Sequence, residues 1–170
     1  MRALFLDRDG VLTRERSDHV KSPEELQILP IGLDALKKMR QRGFALVVVT
    51  NQSVIGRGLT THEQMNKIHQ KLVSELAFRG CNLDAVYYCP HRPDEKCRCR
   101  KPEPGLILKA ARDLGIDLSR SWMVGDKEID IEAARRAGCR AERVATNKAD
   151  LDQALAKILA IEEASLESPP

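Results

Sequence analysis

The sequence predicts an α/β protein, a three-layer sandwich in which helices cover both faces of a central, mainly parallel sheet. Short, uninterrupted apolar runs alternate along the chain with segments of helical periodicity. The apolar runs lack polar alternation, which is typical of strands that are covered on both faces. The length of 170 residues and the hydrophobic content of 42% suit a single domain with a sizeable core.

Five apolar runs predict the strands, at residues 3–6, 44–49, 85–88, 122–124 and, with the weakest pattern, 139–145. The first four runs are followed by polar or ligand-type residues, namely Asp7, Thr50, Cys89 and the pair Gly125-Asp126. Ligands of open α/β sheets bind beyond the carboxyl ends of the strands. We therefore expect these residues to line a common site.

Five segments with apolar residues at helical spacing predict helices, at residues 31–42, 61–79, 103–114, 127–137 and roughly 149–163. The second helix begins after a capping box, formed either by Thr60 with Glu63 or by Thr61 with Gln64. The chain after the last helix, residues 164–170, is expected to be a frayed tail.

Composition restricts the class of partner. The net charge is 28 − 25 = +3 and aromatic residues make up 4% of the chain, which argues against a nucleic-acid partner. No apolar run approaches the roughly 20 residues of a membrane span, and the first residues do not form a signal peptide. We therefore expect a cytoplasmic monomer without a membrane partner, in which reduced cysteines bind metal rather than form disulfides.

Acidic residues at two predicted strand ends indicate a divalent metal site. Asp7 and Asp9, in DRDG, follow the first strand, and Asp126 follows the fourth. Carboxylates held so close together repel one another unless a cation joins them. Their hard oxygen ligands suit Mg²⁺, which keeps coordinated waters that a phosphate can displace.

The segment CPHRPDEKCRC, residues 89–99, predicts a second metal site. Cys89, His91, Cys97 and Cys99 give three thiolates and one imidazole, a ligand set that suits a closed tetrahedral zinc ion. A closed site has no vacancy for substrate, so the zinc is expected to be structural. Prolines in and after the segment favour a loop over the helix of a nucleic-acid finger.

Four segments together resemble the motifs of the haloacid-dehalogenase-like (HAD) phosphatases. They are FLDRDGV at 5–11, VVVTN at 47–51, Lys101, and GDKEID at 125–130. The resemblance extends from residue 4 to about residue 146, and it implies a Rossmann-like sheet. The intervals between the motifs are too short for a separate cap domain. An open site framed by loops 12–22, 51–59 and 89–101 is therefore expected.

The resemblance also implies roles for the acidic residues. Asp7 would attack phosphorus and form an aspartyl-phosphate, and Asp9 would protonate the leaving alcohol and later accept a proton from water. Mg²⁺ would be held by Asp7, Asp126 and the backbone carbonyl of Asp9. Asp130 would orient the metal shell or Lys127.

The remaining motif residues are expected to contact phosphate. Thr50 and Lys101 would bind the oxygens of the transferring group. Lys127 is either a further phosphate contact or simply a lysine at a helix start. Arg100, which directly follows the zinc segment, could bind a second phosphate or a substrate hydroxyl with its planar guanidinium group.

The segment TNQSVIGRG, residues 50–58, is similar to the TNQSGIARG segment of the heptose-bisphosphate phosphatases. The zinc segment with its flanks, YYCPH…CRCRKPEPG, resembles the same family. This likeness implies that Asn51, Gln52, Ser53 and Arg57 contact the substrate. Val54 stands where that family usually has glycine, and a positive φ there would strain a valine.

The expected activity is Mg²⁺-dependent removal of the 7-phosphate from a heptose 1,7-bisphosphate, in the supply of activated heptose for lipopolysaccharide and other surface polysaccharides. The alternative is a histidinol-phosphate phosphatase, which the short interval between His91 and Cys97 favours. Its cationic substrate would require an acidic partner such as Glu15 or Asp18. A nucleic-acid 3′-phosphatase and a non-catalytic, zinc-stabilised interaction module rank lower.

Overall fold

The structure, a computed structural model, describes residues 1–167 of the chain. It contains a five-stranded sheet in which every paired strand runs parallel to its neighbour, in the order β3-β2-β1-β4-β5. The strands are β1 (Arg2–Leu6), β2 (Phe44–Asn51), β3 (Ala85–Cys89), β4 (Trp122–Gly125) and β5 (Arg140–Arg143). The predicted parallel sheet is confirmed, with β1 at its centre.

Helices cover both faces of the sheet. They are α1 (Leu33–Gln41), α2 (His62–Phe78), α3 (Gly105–Leu114), α4 (Glu128–Ala137) and α5 (Leu151–Glu167). One apolar core lies between the sheet and α1, α2 and α5, with Met39, Leu72 and Ile158 as examples. A second core, on the opposite face, contains Ile107 of α3 and Ala133 of α4. Two separate cores around one sheet make the predicted three-layer sandwich.

The helix boundaries agree with the predicted segments to within a few residues. The side chain of Thr61 accepts a hydrogen bond from the backbone N–H of Gln64, so Thr61 is the N-cap of α2. The last helix differs most from the prediction, because α5 continues to Glu167 and residues 164–167 are therefore helical. The rest of the predicted frayed tail, residues 168–170, lies outside the described residues.

A buried carboxylate joins α5 to three strands of the sheet. Glu162 is 8% exposed, and its oxygens accept hydrogen bonds from Arg2 at 2.6 Å and from the indole N–H of Trp122 at 2.9 Å. Arg140 donates a third bond to the same side chain. The partners come from β1, β4 and β5, so one side chain near the end of α5 fixes this helix against the sheet.

The connections between strands leave one edge of the sheet open. Between β2 and β3 the chain forms α2 and short loops, and the segment between β1 and β2 contains only a 3₁₀ turn and α1 as helices. Within residues 1–167 there is thus no cap domain over the carboxyl ends of β1, β2 and β4. None of the helices in this part of the chain is long and apolar enough to cross a membrane.

Candidate active site

Asp7 and Lys101 form the buried centre of the site. Asp7 follows β1, and its backbone N–H bonds to the carbonyl of Val124 on the neighbouring strand β4. The Lys101 ammonium lies 2.9 Å from Oδ1 of Asp7, 2.6 Å from Oδ1 of Asp130 and 2.9 Å from the carbonyl of Val49. Only 2% of the Lys101 side chain is exposed, so this ammonium is a fixed positive charge between two carboxylates.

Three carboxylates converge at this point. Oxygens of Asp7, Asp126 and Asp130 lie within 4.8 Å of one another, and all three residues are buried. Burial raises the pKa of Asp7 to about 7 against the opposing charge of Lys101, and the nearby carboxylates of Asp130 and Asp9 raise it further. Burial also raises the pKa of Asp126. The single positive charge of Lys101 therefore does not balance the three carboxylates of the cluster.

One oxygen of this cluster has no partner. Oδ2 of Asp126 accepts a hydrogen bond from the hydroxyl of Thr146 at 2.7 Å, but the buried Oδ1 has no hydrogen-bond partner among the described residues. A buried, unpaired carboxylate oxygen is costly unless a cation or a water satisfies it. The unpaired oxygen, the convergence of hard ligands and the shortage of positive charge all fit a divalent cation such as Mg²⁺.

Asp9 lies beside this cluster and is held by four donors. Arg8 donates from Nε and Nη2 to its two oxygens at 3.1 and 2.9 Å. Nε2 of Gln52 and the hydroxyl of Thr13 donate at 2.8 and 3.2 Å. Although burial opposes ionisation, the charge and hydrogen bonds of Arg8, with those of Gln52 and Thr13, hold the pKa of Asp9 below its usual value. Asp9 is thus a fixed carboxylate at the mouth of the site.

The end of β2 supplies residues that organise the site from within. Thr50 is buried, and its hydroxyl accepts a hydrogen bond from Gln52 at 2.9 Å. Gln52 is only 3% exposed and also accepts a bond from Arg8. Asn51 holds the backbone of Lys101 through two hydrogen bonds. Asn51 and Gln52 thus support the site through these hydrogen bonds and also line its cavity, so their predicted contact with substrate stays a prediction.

A cavity opens above these groups, and basic residues lie at its rim. Arg100 and Lys127 line it together with Arg16 and His19 of the loop after β1. Lys127 pairs with Glu15, and Nη1 of Arg100 donates to the carbonyl of His91 at 3.3 Å. Positive side chains around a cavity with acidic residues at its base suit an anionic ligand that reaches a bound metal.

The turn after Gln52 places some of its residues in the cavity and others on the surface. Ser53 and Val54 are buried and line the cavity. Val54 does not have a positive φ, so the backbone strain expected for a valine at this position is absent. Arg57 is exposed and folds back so that its Nε donates to Ser53 at 3.2 Å. Arg57, unlike Ser53, is outside the set of residues that line the cavity.

The predicted zinc ligands converge immediately beside this cavity. Contacts of 3.0 to 3.6 Å join four side-chain atoms, namely Cys89 Sγ, His91 Nδ1, Cys97 Sγ and Cys99 Sγ. None of the cysteines forms a disulfide. The backbone N–H of Arg100 donates to Cys97 Sγ at 3.3 Å, a contact that favours a thiolate.

The electrostatics of this cluster also fit a metal. Burial raises the pKa values of Cys89 and Cys99. The thiols of Cys99 and Cys97 raise the pKa of Cys89 further, whereas the hydrogen bond with Cys89 opposes the rise at Cys99. The pKa of Cys97 is lowered to about 7 despite burial, because it accepts hydrogen bonds from Arg100 and its neighbours. Three thiols and one imidazole at this spacing have the ligand types and number of a tetrahedral zinc site.

Comparison with known proteins gives the family. Residues 98–164 match a family model described as HAD-hydrolase-like. A D-glycero-beta-D-manno-heptose-1,7-bisphosphate 7-phosphatase of Yersinia pestis is 44% identical over 142 residues, which cover 79% of this chain and 75% of the relative. The enzyme of the same name from Pseudomonas aeruginosa is 39% identical over 145 residues, covering 85% and 82%. The chain belongs to this heptose-bisphosphate phosphatase family.

A solved structure agrees with this assignment. The D,D-heptose 1,7-bisphosphate phosphatase of B. bronchiseptica, complexed with magnesium and phosphate, superimposes with a TM-score of 0.80 at 40% identity. The match covers 92% of this chain and 87% of that one. The resemblance inferred from the HAD motifs is confirmed, and this heptose-bisphosphate phosphatase family member has the expected fold.

Several residues of this family member were not anticipated as parts of the site. Arg8, which lies between Asp7 and Asp9 in the chain, is fully buried, and Thr146 bonds to Asp126. Asn147 fixes Glu15 through hydrogen bonds to its backbone N–H and carbonyl. The Asn147 backbone has φ of 60°, a left-handed conformation that asparagine tolerates. The position of Arg8 between Asp7 and Asp9 in the sequence could have predicted that it belongs to the site. Thr146 and Asn147 lie in no recognised motif, so no such indication exists for them.

Proposed function

We propose that this protein is a Mg²⁺-dependent phosphomonoesterase that removes the 7-phosphate of D-glycero-D-manno-heptose 1,7-bisphosphate through an aspartyl-phosphate. The observation that carries the proposal is the convergence of Asp7, Asp126 and Asp130 around the fixed charge of Lys101, in a chain of this family. The proposed place in metabolism is the supply of nucleotide-activated heptose for lipopolysaccharide and other surface polysaccharides.

The reaction begins with a nucleophilic step. An oxygen of Asp7 forms a bond to phosphorus while the bond from phosphorus to the sugar oxygen breaks. Asp9, which must first take up a proton against its ion pair with Arg8, donates that proton to the sugar oxygen. Water then attacks phosphorus, gives a proton to Asp9 and releases phosphate with free Asp7. Lys101, at 2.9 Å from Asp7, stabilises the negative charge that develops on the transferring group.

The metal would be held by Asp7, Asp126 and the backbone carbonyl of Asp9, as the family motifs imply. Bound Mg²⁺ supplies positive charge that lets a carboxylate approach a phosphate dianion. In the structure, Asp130 contacts Lys101 and accepts a bond from the backbone N–H of Lys127 at 3.1 Å. We therefore assign Asp130 to orienting Lys101 and the metal shell.

The substrate contacts follow from the cavity lining. Thr50 and Lys101 face the transferring phosphate, and Arg100 and Lys127 provide positive charge for the second phosphate at the rim. Asn51, Gln52 and Ser53 line the same cavity, and Asn51 and Gln52 also hold their neighbours through hydrogen bonds. Arg57 would reach substrate only through a movement of its side chain away from Ser53.

A structural zinc ion at Cys89, His91, Cys97 and Cys99 completes the proposal. The ligand set leaves no open position, and the segment continues directly into Arg100 and Lys101. Zinc would therefore fix the loop that carries two phosphate-binding side chains. The monomeric state, the cytoplasmic location and the absence of nucleic-acid and membrane partners remain predictions.

The histidinol-phosphate alternative requires an acidic group free to meet a cationic amine. Glu15 pairs with Lys127, and Asp18 accepts two hydrogen bonds from Arg16 at 2.9 Å and one from Lys21 at 3.2 Å. Both candidate carboxylates are thus already neutralised by basic residues. The same pairs also neutralise Lys127 and Arg16, so the charge at the rim that favours an anionic over a cationic substrate is that of Arg100, which forms no ion pair among the described residues.

The test compares kcat/KM for both anomers of the heptose bisphosphate, for histidinol phosphate and for a 3′-phosphorylated oligonucleotide, each with Mg²⁺. We expect a heptose bisphosphate to have the highest kcat/KM and Asp7→Asn to abolish turnover. Asp34→Asn, on the exposed surface of α1, is the matched control and should retain activity. A higher kcat/KM for histidinol phosphate would overturn the substrate assignment, and full activity of Asp7→Asn would overturn the mechanism.

A further inference from the structure

Arg8 is the largest fully buried side chain of the described protein, with none of its surface exposed. It lies between Asp7 and Asp9 in the chain. Ionised arginine cannot lose its proton inside a protein, so its burial is costly unless every donor has a partner. Such a side chain beside two reactive carboxylates requires an explanation beyond packing.

The guanidinium group binds Asp9 with two parallel hydrogen bonds. Nε donates to Oδ1 at 3.1 Å and Nη2 donates to Oδ2 at 2.9 Å. A bidentate arginine–carboxylate pair fixes the plane of the carboxylate as well as its distance. Among the described ion pairs, Asp9 is the only acidic partner of Arg8. The orientation of Asp9 therefore depends on where Arg8 is held.

Helix α2 and the end of β2 hold Arg8 from the other side. Its Nη1 lies 3.0 Å from Nε2 of His69 and 3.4 Å from Sδ of Met65. Nη2 also donates to Oε1 of Gln52 at 3.0 Å. Because Arg8 always donates, His69 must accept through Nε2 and carry its proton on Nδ1. Each of these partners comes from a secondary-structure element or its end, so the guanidinium position is fixed by the fold.

We propose that Arg8 is a positioning residue for proton transfer, which holds the Asp9 carboxylate in register with the reacting phosphate and is itself positioned by His69. The inference rests on the proposed role of Asp9 as acid and base. By fixing the position of the Asp9 carboxylate, Arg8 assists both half-reactions, in which Asp9 first donates a proton to the leaving oxygen and then accepts one from water.

Two kinds of substrate separate positioning from a merely structural role. An alkyl phosphate leaves as a strongly basic alkoxide and needs a proton from Asp9, whereas p-nitrophenyl phosphate leaves as a weakly basic phenolate and does not. General acid catalysis contributes about 100-fold or more to such a step. Misplacing Asp9 therefore lowers the rate for the alkyl phosphate selectively, while a general loss of structure lowers both rates.

The experiment measures kcat/KM of the Mg²⁺-loaded enzyme on a sugar phosphate and on p-nitrophenyl phosphate. For Arg8→Met we expect a loss of about 100-fold on the sugar phosphate and a several-fold smaller loss on the aryl phosphate. Arg8→Lys keeps the charge but loses the bidentate geometry, and it should recover part of the selective loss.

A second pair of variants covers the case in which Arg8→Met does not fold. His69→Leu removes the acceptor for Nη1, and His69→Gln supplies a replacement acceptor at the same position. We expect His69→Leu to show the selective loss on the sugar phosphate, of about 10-fold, and His69→Gln to restore most of it. Circular dichroism and thermal melting confirm which variants are folded.

Asp9→Asn distinguishes the failure of this inference from the failure of the proposed function. If Asp9→Asn shows no selective loss on the sugar phosphate, the acid–base role of Asp9 is wrong. If Asp9→Asn shows the loss but folded Arg8 and His69 variants lower both substrates equally, or neither, then Arg8 does not position Asp9. Selective losses in all three positions support the proposal.

Discussion

The side chain of Asn51 bonds to both backbone polar groups of Lys101. Nδ2 of Asn51 donates to the Lys101 carbonyl at 3.1 Å, and Oδ1 accepts from the Lys101 N–H at 3.0 Å. These two bonds tie the end of β2 to the loop that follows the cysteine cluster. Lys101 thus has its backbone fixed by Asn51 and its ammonium fixed by Asp7 and Asp130.

We expect Asn51→Ala to lower the free energy of unfolding by about 1–3 kcal/mol, because a partly buried N–H and carbonyl lose their partners. It should also lower kcat, since Lys101 is less well placed against the phosphate. Asn51→Asp retains the acceptor for the Lys101 N–H and is the graded control. Urea unfolding and steady-state kinetics give the two values. Wild-type kcat in Asn51→Ala would show that the Lys101 backbone needs no such support.

Replacing one predicted zinc ligand should affect zinc and phosphatase activity together. Cys97→Ser is expected to lower zinc content and activity in parallel while Mg²⁺ binding is retained, because Asp7 and Asp126 lie outside this cluster. Cys139→Ser is the matched control, since Cys139 is a buried cysteine away from the cluster. Metal analysis by mass spectrometry measures the zinc. A zinc-free preparation with full activity would contradict the proposed structural role.

Thr146 should tune the affinity for Mg²⁺ through Asp126. Its hydroxyl donates to Oδ2 of Asp126 at 2.7 Å and leaves Oδ1 for a metal. Loss of such an outer contact typically weakens metal binding about 10- to 100-fold. Thr146→Val, of nearly equal shape, should therefore raise the Kd for Mg²⁺ about 10-fold, whereas Thr146→Ser should keep it near the wild-type value. Calorimetric titration with Mg²⁺ tests this, and equal Kd values for all three proteins would exclude the effect.

The stability of the protein should depend on pH through His69. Burial, with the charge of Arg8, lowers the pKa of His69 from 6.5 to about 3, against the opposing effect of Asp9. Between these pH values the unfolded chain binds a proton that the folded protein excludes. The free energy of unfolding therefore falls as pH is lowered from about 6.5, by at most about 1.4 kcal/mol per pH unit.

His69→Gln isolates this contribution, because Asp7 and the other titrating groups remain in both proteins. Asp7 acts in the opposite direction, since its pKa of about 7 in the folded protein lets the folded state bind the extra proton. We expect the stability advantage of the wild type over His69→Gln to shrink between pH 7 and pH 5. Urea unfolding at both pH values measures it, and an unchanged difference would mean that His69 is protonated in the folded protein.

The sequence was most informative where strand ends coincide with chemistry. Asp7, Thr50 and Asp126 follow buried apolar runs, and a parallel sheet must bring such ends to one edge. The convergence of Cys89, His91, Cys97 and Cys99 was equally predictable, because these four residues lie within eleven positions of the sequence. These predictions needed only local pattern and one topological rule.

The supports of the site were much less predictable. A glutamine or arginine in a motif carries no sign of whether it faces ligand or protein. Arg8 turned inward, whereas Gln52 lines the cavity and also bonds to protein groups. Arg57 lies on the surface, outside the cavity, because its side chain bonds back to Ser53 across a short turn. The pairing of Glu15 with Lys127 joins residues 112 positions apart, which no local pattern specifies. Side-chain direction outside regular elements depends on such long-range contacts.

The buried carboxylate of Glu162 has a consequence for the order in which the chain folds during synthesis. All five strands have been translated by Arg143, but the charges of Arg2 and Arg140 and the indole of Trp122 find their common acceptor only when residue 162 emerges. Before that point the nascent chain contains all five strands, but Arg2, Trp122 and Arg140 have not yet met Glu162. These three partners are the first residues of β1, β4 and β5, so the edge of the sheet opposite the catalytic one is the edge that receives its common acceptor last.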